Sequence, residues 1–303
     1  MSTLRAQLSS PLERSLAWIS AEIDQLFNQL LPVPDDPRAR LLDAMRHAAI
    51  GGGKRLRPLL VYASADLFGV PRSWSLRAGL AVECIHVHSL IHDDLPCMDD
   101  DELRRGKPTV HVAFDEATAV LAGDSLLALA FDILCDRATH SSAEVRSELA
   151  KELAFAAGSS GMAGGQMLDL RAFETTHDLE AIARLQRLKT GAIITWSVEA
   201  GAILGGASVE QRLSLRGYAQ NLGLAFQIAD DLLDVEGDPA IVGKRLQKDA
   251  SQGKETFLSL LGKERARRQA ELLVDQAIEH LRQFGSAGSL LAEVARFSIQ
   301  RER

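Results

Sequence analysis

Two clusters of carboxylates are the residues of this chain best suited to chemistry, and the first of them closes an apolar segment. Asp93 and Asp94 follow the apolar run 80–91, and three more aspartates occupy 99–101. Charge at the end of a buried helix is costly unless a cation neutralises it. Clustered oxygen ligands suit Mg²⁺, which proteins hold with one or two carboxylates and substrate phosphates. The basic residues within 104–107 suit phosphate oxygens, so the segment indicates a metal and a diphosphate.

Pro96 decides how the two parts of this acidic segment relate to each other. Six residues separate Asp93 from Asp99, which places them on different faces of an uninterrupted helix. Pro96 disfavours helical geometry in the residue before it and disturbs the following turn. We therefore expect Asp99 to return towards Asp93, although spacing alone does not choose among Asp99, Asp100 and Asp101.

A second carboxylate cluster lies in the stretch 226–236. Asp230 and Asp234 are four residues apart and so share one helix face, which Gln227 and Asp231 adjoin. A single motif of this kind on an exposed helix is more often solvated surface. Two such motifs, each rooted in an apolar helix, favour a metal site.

Four basic groups supply the positive charge that a diphosphate needs. They are Lys54 with Arg55 and Arg57, Arg104 with Arg105 and Lys107, Lys189, and Lys244 with Arg245, Lys248 and Lys254. Any one of them alone is most simply explained as surface charge. Lys54 and Arg57, however, open a helix after three glycines, where free backbone N–H groups also favour anions. The stretch is not a P-loop, because Arg rather than Ser or Thr follows Gly-Lys.

The composition excludes several classes of partner. Thirty-four Lys and Arg against 41 Asp and Glu give a net charge of −7, so no general attraction to nucleic acid or acidic membranes is expected. Cys84, Cys97 and Cys135 lack CxxC spacing, which argues against a zinc site or a disulfide framework and favours a reducing compartment. No long apolar block opens the chain, and Glu199 interrupts the apolar stretch 192–209. We expect a soluble cytoplasmic protein without membrane insertion.

Helical periodicity dominates the elements that must position these residues. Leu16, Ile19, Ile23, Leu26 and Leu30 recur at three- and four-residue steps, which is typical of an amphipathic helix. Further helices are predicted at 38–50, from the glycine-rich stretch to 68, and at 73–94, 115–138, 142–157, 178–204, 208–236, 255–285 and 287–300. No stretch shows sustained alternation, so no strand is placed. The sequence predicts one all-α domain over 1–303 with about ten helices.

Several motifs together resemble one family. They are Gly-Gly-Lys-Arg-Leu-Arg-Pro (52–58), Asp-Asp-Leu-Pro-Cys-Met-Asp (93–99), Leu-Arg-Arg-Gly-Lys-Pro (103–108), Gly-Gly-Gln-Met-Leu-Asp (164–169), Lys-Thr-Gly (189–191) and Phe-Gln-Ile-Ala-Asp-Asp-Leu-Leu-Asp (226–234). In this order they are similar to the trans-isoprenyl diphosphate synthases, or polyprenyl synthetases, and most of all to the bacterial farnesyl diphosphate synthases. The resemblance implies an isoprenoid synthase fold around a central cavity, a homodimer, and Mg²⁺-dependent 1'-4 condensation of isopentenyl diphosphate with dimethylallyl or geranyl diphosphate.

The same resemblance assigns residues to the metal and to the two substrates. Asp93 and Asp99 with Asp94 between them, and Asp230 with Asp231 and Asp234, resemble the groups that hold two or three Mg²⁺ ions on the allylic diphosphate. Lys54, Arg57, His86 and Arg105 resemble the isopentenyl diphosphate pocket. Arg104, Lys189 and Lys244 resemble binders of the allylic diphosphate, and Thr190, Phe226 and Gln227 resemble wall positions. Lys254 resembles a further binder, although Phe-Leu follows Gly-Lys-Glu-Thr where many relatives have Tyr-Pro. The catalytic set implied is Asp93, Asp99, Arg104, Lys189, Asp230 and Lys244.

Product length depends on residues about one turn before Asp93. The growing chain is expected to run along this helix, which makes His88 and Ser89 its floor. Many farnesyl synthases similar to this chain carry an aromatic ring where His88 stands, and an imidazole is smaller. We expect mainly farnesyl (C15) product, with a geranylgeranyl (C20) diphosphate synthase as the alternative.

Four other polar residues near the motifs have simpler explanations. His92 is expected to be structural, and Cys97 is expected to be a packing thiol because no activating arrangement is visible. Gln166 and Asp169, which follow Gly-Gly, either support the site or bond to their own helix end. The sequence leaves both readings open.

Three other functions fit parts of the pattern. A class I terpene cyclase also uses Asp-rich motifs and Mg²⁺, but it handles one diphosphate, so the basic residues at 54–57 and Arg105 would be superfluous. An HD-type metal phosphohydrolase using His92 and Asp93 would not need the second acidic motif. A non-catalytic helical partner would not need two intact acidic motifs.

Overall fold

Helices make up nearly all of the structure. The computed structural model describes residues 10–172, 178–236 and 255–300. Within these ranges the β structure is a single pair of two-residue strands. The predicted all-α class is therefore confirmed. That the whole chain forms one domain around a central cavity remains a prediction.

The elements follow the chain in a simple order. The first part contains α1 (Pro11–Leu30), α2 (Ala39–Ala49), α3 (Leu56–Asp66), α4 (Arg72–Asp93), β1 (Leu103–Arg104), β2 (Lys107–Pro108), α5 (Val110–Ala113), α6 (Glu116–Cys135) and α7 (Ala143–Ala157). The second contains α8 (Met162–Leu170), α9 (Leu179–Gln186), a π-helix (Arg187–Gly191), α10 (Ala192–Leu204), α11 (Val209–Glu236), α12 (Phe257–Leu261), α13 (Lys263–His280), a 3₁₀ helix (Arg282–Gly288) and α14 (Ser289–Gln300). The described residues form two compact units. The first unit comprises the residues up to Tyr62 together with Pro71–Ala150. The second unit comprises Ala63–Val70 together with the residues from Lys151 onward.

The first unit is built around α4. Apart from Arg77, every residue of α4 from Ser75 to Ile85 is buried, as its mostly apolar sequence favours. α6 packs most extensively along it. α1 contributes a buried stripe that includes Ile19 and Ile23, and its first turn is closed by a capping box between Ser10 and Glu13.

The second unit is built around α11, which packs along α13 and α10. Apart from Thr195, every residue of α10 from Ile193 to Leu204 is buried. The Tyr218 hydroxyl donates to the carbonyl oxygen of Leu291 at 2.7 Å and so ties α11 to α14. Gly201 allows the end of α3 to approach α10, because a Cβ there would lie 2.1 Å from Ser64 Oγ.

Two predicted helices are interrupted in the structure. The helix expected over 255–285 ends at Leu261, because Gly262 adopts a left-handed conformation with φ 74° before α13 begins. The helix expected over 178–204 contains the π-helix Arg187–Gly191. Such insertions occur frequently at functional sites. Helical periodicity continues through both interruptions, so the pattern alone did not reveal them.

A short hairpin, which the sequence did not predict, carries the basic residues after the acidic segment. β1 and β2 pair antiparallel, with Arg104 opposite Lys107. The two turn residues between them, Arg105 and Gly106, have φ of 54° and 75°. This conformation suits a two-residue hairpin. Strands of two residues are too short to show alternation.

α6 is the only helix within the described ranges that is long and apolar enough to cross a membrane. Its mean hydropathy is 1.7, and 39% of the relevant window is buried inside the protein. A core helix meets the same criterion of length and composition. Membrane crossing therefore does not follow from it, and the absence of membrane insertion stays a prediction.

Candidate functional site

The first acidic segment folds back on the end of α4. The Asp99 amide donates to the carbonyl oxygen of Asp93 at 2.8 Å, and the Asp101 amide donates to that of Asp94 at 3.2 Å. Asp100 makes the reversal with φ 51°. The return of Asp99 towards Asp93, predicted from Pro96, is confirmed.

Asp94 is buried in this turn and is paired with Arg104. Asp94 Oδ1 accepts from Arg104 Nε at 2.9 Å and also from Arg104 Nη2, and Asp101 Oδ2 lies 3.3 Å from Nη2. Burial alone would lower the pKa of Arg104, but the hydrogen bond to Asp94 and the nearby carboxylates raise it overall. Asp94, which was expected to lie between two metal ligands, thus pairs with Arg104. Arg104 was itself predicted to bind a diphosphate.

The glycine-rich loop receives the other arginine of the hairpin. The guanidinium of Arg105 lies across Gly52 and Gly53, so that a Cβ on Gly53 would be 2.6 Å from Arg105 Cζ. Gly53 has φ 80°, a conformation that glycine adopts readily. The absence of a side chain at Gly53 therefore brings Arg105 next to Lys54.

His86, on α4, is surrounded by these cations. Desolvation lowers the pKa of His86 well below its usual value, and Arg57 and Arg105 lower it further, followed by Arg55 and Arg104. The imidazole is therefore neutral at pH 7. Three of the four residues predicted for one substrate, Arg57, His86 and Arg105, belong to one cationic region of the first unit.

A small cavity of about 50 Å³ adjoins both the acidic turn and the glycine-rich loop. Its lining includes Gly51, Gly52, Asp94, Arg104 and Arg105. The first unit thus brings Asp94 of the first acidic motif together with the glycine-rich loop and the arginines of the hairpin. This proximity is what the pairing of metal and diphosphate chemistry requires.

The second unit positions Lys189 through α8. Lys189 Nζ lies 2.9 Å from Asp169 Oδ2. The backbone of Lys189 packs directly on Gly165, where a Cβ would be 2.2 Å from the Lys189 nitrogen. Of the two roles left open for Asp169, the structure shows a salt bridge to a predicted site residue.

The second acidic motif is tied to the π-helix by a chain of hydrogen bonds. Thr190 Oγ1 donates to Gln227 Oε1 at 3.1 Å, and Gln227 Nε2 donates to Asp231 Oδ1 at 3.4 Å. The Phe257 amide donates to Asp231 Oδ2 at 3.1 Å. Asp231 is 5% exposed, and both its oxygens are engaged within the protein. Asp230 and Asp234 are less buried and are the carboxylates better placed for a metal.

A larger cavity in the second unit adjoins the π-helix. It has a volume of about 370 Å³, and its lining includes Leu188, Gly191 and Trp196. Phe226, predicted as a wall residue, is partly buried on α11. Lys244 and Lys254, together with Arg245 and Lys248, lie outside the described residues.

The aspartates of the two motifs suit Mg²⁺ better than a metal ion whose ligands all come from the protein. Across 10–172, 178–236 and 255–300, no three His, Cys, Asp or Glu side chains stand close enough to hold an ion by themselves. Mg²⁺ is usually bound through one or two carboxylates and completes its shell with water and substrate phosphates. The aspartates of the two motifs meet this requirement.

The predicted chain-length residues lie on α4. His88 Nδ1 lies 3.0 Å from the carbonyl oxygen of Gly123 on α6, and its ring packs edge-on against His92 with centroids 4.5 Å apart. The Ser89 hydroxyl donates to the carbonyl oxygen of His86. α6 thus fixes the orientation of the His88 ring.

Arg55 is the residue whose role sequence reasoning missed. It was grouped with Lys54 and Arg57 as surface charge, yet it is 1% exposed and makes ion pairs to Asp24 and Glu83. A signal was present, because Glu83 interrupts a mostly apolar stretch of α4. Buried carboxylates of this kind need a cation.

Gly53→Ala tests the contact between the glycine-rich loop and Arg105. The left-handed conformation costs an alanine about 1–2 kcal/mol, and the new Cβ would displace the Arg105 guanidinium. We expect binding of inorganic pyrophosphate, measured by calorimetry, to weaken by about tenfold. Gly69→Ala is the matched control, because Gly69 has φ 66° and nothing within 4 Å of a new Cβ. Equal affinity of the two variants would contradict the prediction.

Comparison with known proteins agrees with this arrangement. The pattern of the polyprenyl synthetase family matches residues 38–291. Farnesyl diphosphate synthase of Escherichia coli is 47% identical over 278 residues, which are 90% of this chain and 92% of that protein. Geranylgeranyl diphosphate synthase of Cyanophora paradoxa is 40% identical over 86% of this chain and 87% of its own. The apo crystal structure of an FPP/GFPP synthase from Zymomonas mobilis is 54% identical and matches with a TM-score of 0.87 over 95% of this chain and 98% of that one. The chain belongs to the polyprenyl synthetase family.

Proposed function

We propose that the protein is a prenyltransferase that condenses isopentenyl diphosphate with dimethylallyl or geranyl diphosphate, giving farnesyl diphosphate and releasing diphosphate. The observation that carries this proposal is that Arg57 and Arg105 act on His86 in addition to Arg104, the arginine that is paired with Asp94. An enzyme that joins two diphosphates needs a second anion site besides the metal-binding one. Similarity to farnesyl diphosphate synthases supports the same product.

Mg²⁺ would be held by Asp93 and Asp99 in the first motif and by Asp230 and Asp234 in the second. When bound, it would neutralise the charge that accumulates on the allylic diphosphate as its C–O bond breaks. We propose that two or three Mg²⁺ ions are bound in this way. Asp94 would contribute mainly by holding Arg104.

The side chains divide into two roles. Arg104 and Lys189 would stabilise the departing diphosphate, because fixed cations stabilise charge most effectively where water is excluded. Lys54, Arg57, His86 and Arg105 would hold isopentenyl diphosphate with its double bond near the allylic carbon, a gain from positioning two reactants. A C–C bond forms as the C–O bond breaks, and the proton lost from the isopentenyl unit would pass to the released diphosphate. This scheme needs no side-chain base.

The rival functions fit the geometry less well. A terpene cyclase would leave the cationic region around His86 without a ligand. A phosphohydrolase would use His92 beside Asp93, but His92 Nε2 lies 3.1 Å from the carbonyl oxygen of Val120 on α6. Its ring is therefore engaged with α6. Geranylgeranyl diphosphate remains the alternative product, since a relative with that activity is also similar.

We also propose a homodimer in the cytoplasm. Val112, Val120 and Leu121, in α5 and α6, expose 50%, 40% and 55% of their surface. An apolar face of this kind favours contact with a second copy. Cys84, Cys97 and Cys135 are all free thiols, as expected in a reducing compartment.

The dimer is tested by sedimentation velocity. A charge at Leu121 would be desolvated in an interface through α6, so Leu121→Asp is expected to give a monomer where the wild type is a dimer. Leu213→Asp is the matched control, because Leu213 on α11 is 59% exposed. A dimer that tolerates Leu121→Asp as well as Leu213→Asp would exclude this face.

The reaction is tested by supplying Mg²⁺, dimethylallyl diphosphate and isopentenyl diphosphate and separating the products by chromatography. We expect farnesyl diphosphate only when both substrates are present, and none after chelation of the metal. Asp93→Ala and Asp230→Ala are each expected to lower the rate by about a hundredfold or more. Asp36→Asn, at an exposed carboxylate paired with Arg38, should leave it unchanged. A cyclised product from one diphosphate, or phosphate release without isopentenyl diphosphate, would reject the proposal.

His88→Ala tests the floor for the growing chain. Removing the imidazole empties space beside Gly123, so the product is expected to shift from C15 towards C20. His140→Ala is the control, because it removes a ring that packs on Trp74 at the other end of α4. An unchanged product distribution in His88→Ala would remove His88 from this role.

A further inference from the structure

Arg55 is buried at the meeting point of three helices in the first unit. Its Nη1 donates to Glu83 Oε1 on α4 at 2.7 Å, and its Nη2 donates to Asp24 Oδ1 on α1 at 2.6 Å. The same Nη2 donates to the carbonyl oxygen of Ala49, which ends α2. One guanidinium therefore links α1, α2 and α4. Its Cζ lies 5.7 Å from the ring centroid of Phe27, which adds a cation–π contact.

Asp24 also holds the glycine-rich loop that precedes Arg55. Asp24 Oδ2 accepts from the Gly51 amide at 3.2 Å, so Asp24 holds the loop at its start and again at Arg55. Arg55 has φ 51°, a conformation that is unfavourable for a residue with a side chain. The backbone would not hold this conformation without compensation. The ion pairs of Arg55 supply it, and Arg55 is buried while Lys54, its neighbour in the chain, is exposed.

Glu83 connects this anchor to His86. The two residues are three apart on α4 and so are neighbours on one helix face. Burial alone would lower the pKa of Arg55, but Glu83, followed by Asp24, raises it overall, so the guanidinium stays charged. Arg55, Glu83 and Asp24 thus form an ion cluster that joins the loop carrying Lys54 and Arg57 to the helix carrying His86.

We propose that Arg55, held by Glu83 and Asp24, is a positioning residue for the acceptor diphosphate, acting through Lys54, Arg57 and His86 without touching the substrate. The inference rests on the proposed function, in which this region takes isopentenyl diphosphate. It predicts that a change at Arg55 affects the two substrates unequally. A merely structural role would affect both alike.

The experiment is steady-state kinetics of Arg55→Met and Arg55→Lys. The concentration of one substrate is varied while the other substrate is kept at saturation, and the roles are then exchanged. Arg55→Met is expected to raise the KM for isopentenyl diphosphate by about tenfold, with kcat and the KM for the allylic diphosphate within about twofold of wild type. Arg55→Lys should recover part of the loss, because an ammonium keeps the charge but not the bidentate fork. Arg77→Lys is the matched control, because Arg77 forms a partly buried ion pair with Asp136 in the same unit.

A parallel rise of both KM values, or no rise in a folded Arg55→Met variant, would overturn the inference. If Arg55→Met does not fold, Asp24→Asn decides, since Asp24 is 26% exposed at its side chain and only its charge is removed. Calorimetry with inorganic pyrophosphate separates this inference from the proposed function. Wild type that binds pyrophosphate but does not elongate refutes the function. Wild type that elongates, with Asp24→Asn or Arg55→Met binding pyrophosphate equally well, refutes the positioning role.

Discussion

The concentration of positive charge around a neutral histidine is the constraint on which the first unit depends. Desolvation lowers the pKa of His86 well below its usual value, and Arg57 and Arg105 lower it further, so the ring is uncharged at pH 7. Cations held this close destabilise one another where water is excluded. The surrounding helices maintain them in place, so an entering anion gains their full attraction without reorganising the site.

The second unit handles its charges in a different way. Lys189 is paired with Asp169, and both oxygens of Asp231 already accept hydrogen bonds from Gln227 and Phe257. Lys189 and Asp231 therefore have partners within the protein before any ligand binds. Asp230 and Asp234, which we propose as metal ligands, adjoin these engaged residues. Such support of ligand residues by neighbouring hydrogen bonds is a general requirement of metal sites.

Backbone strain is concentrated in the same segments as the chemistry. Within the described ranges, the residues other than glycine with positive φ are Arg55, Asp100 and Arg105. Each lies in a motif singled out for metal or phosphate, and each reverses the chain where neighbouring charged groups must converge. Strain of this kind persists only where surrounding contacts over-determine the conformation. The ion pairs of Arg55 provide those contacts in the glycine-rich loop.

The sequence by itself determined the helical class, the two acidic motifs and the return of Asp99 towards Asp93, because periodicity and Pro96 act over a few residues. It did not reveal the break at Gly262, the π-helix around Lys189 or the hairpin that carries Arg105. The sequence also could not show that Arg55 has a different role from Lys54 and Arg57. A run of basic residues has the same sequence pattern whether a side chain faces water or a buried carboxylate. That difference depends on Asp24 and Glu83, which are distant in sequence. Only the tertiary structure brings their charges to Arg55, and the cost of leaving them unpaired decides where the arginine points.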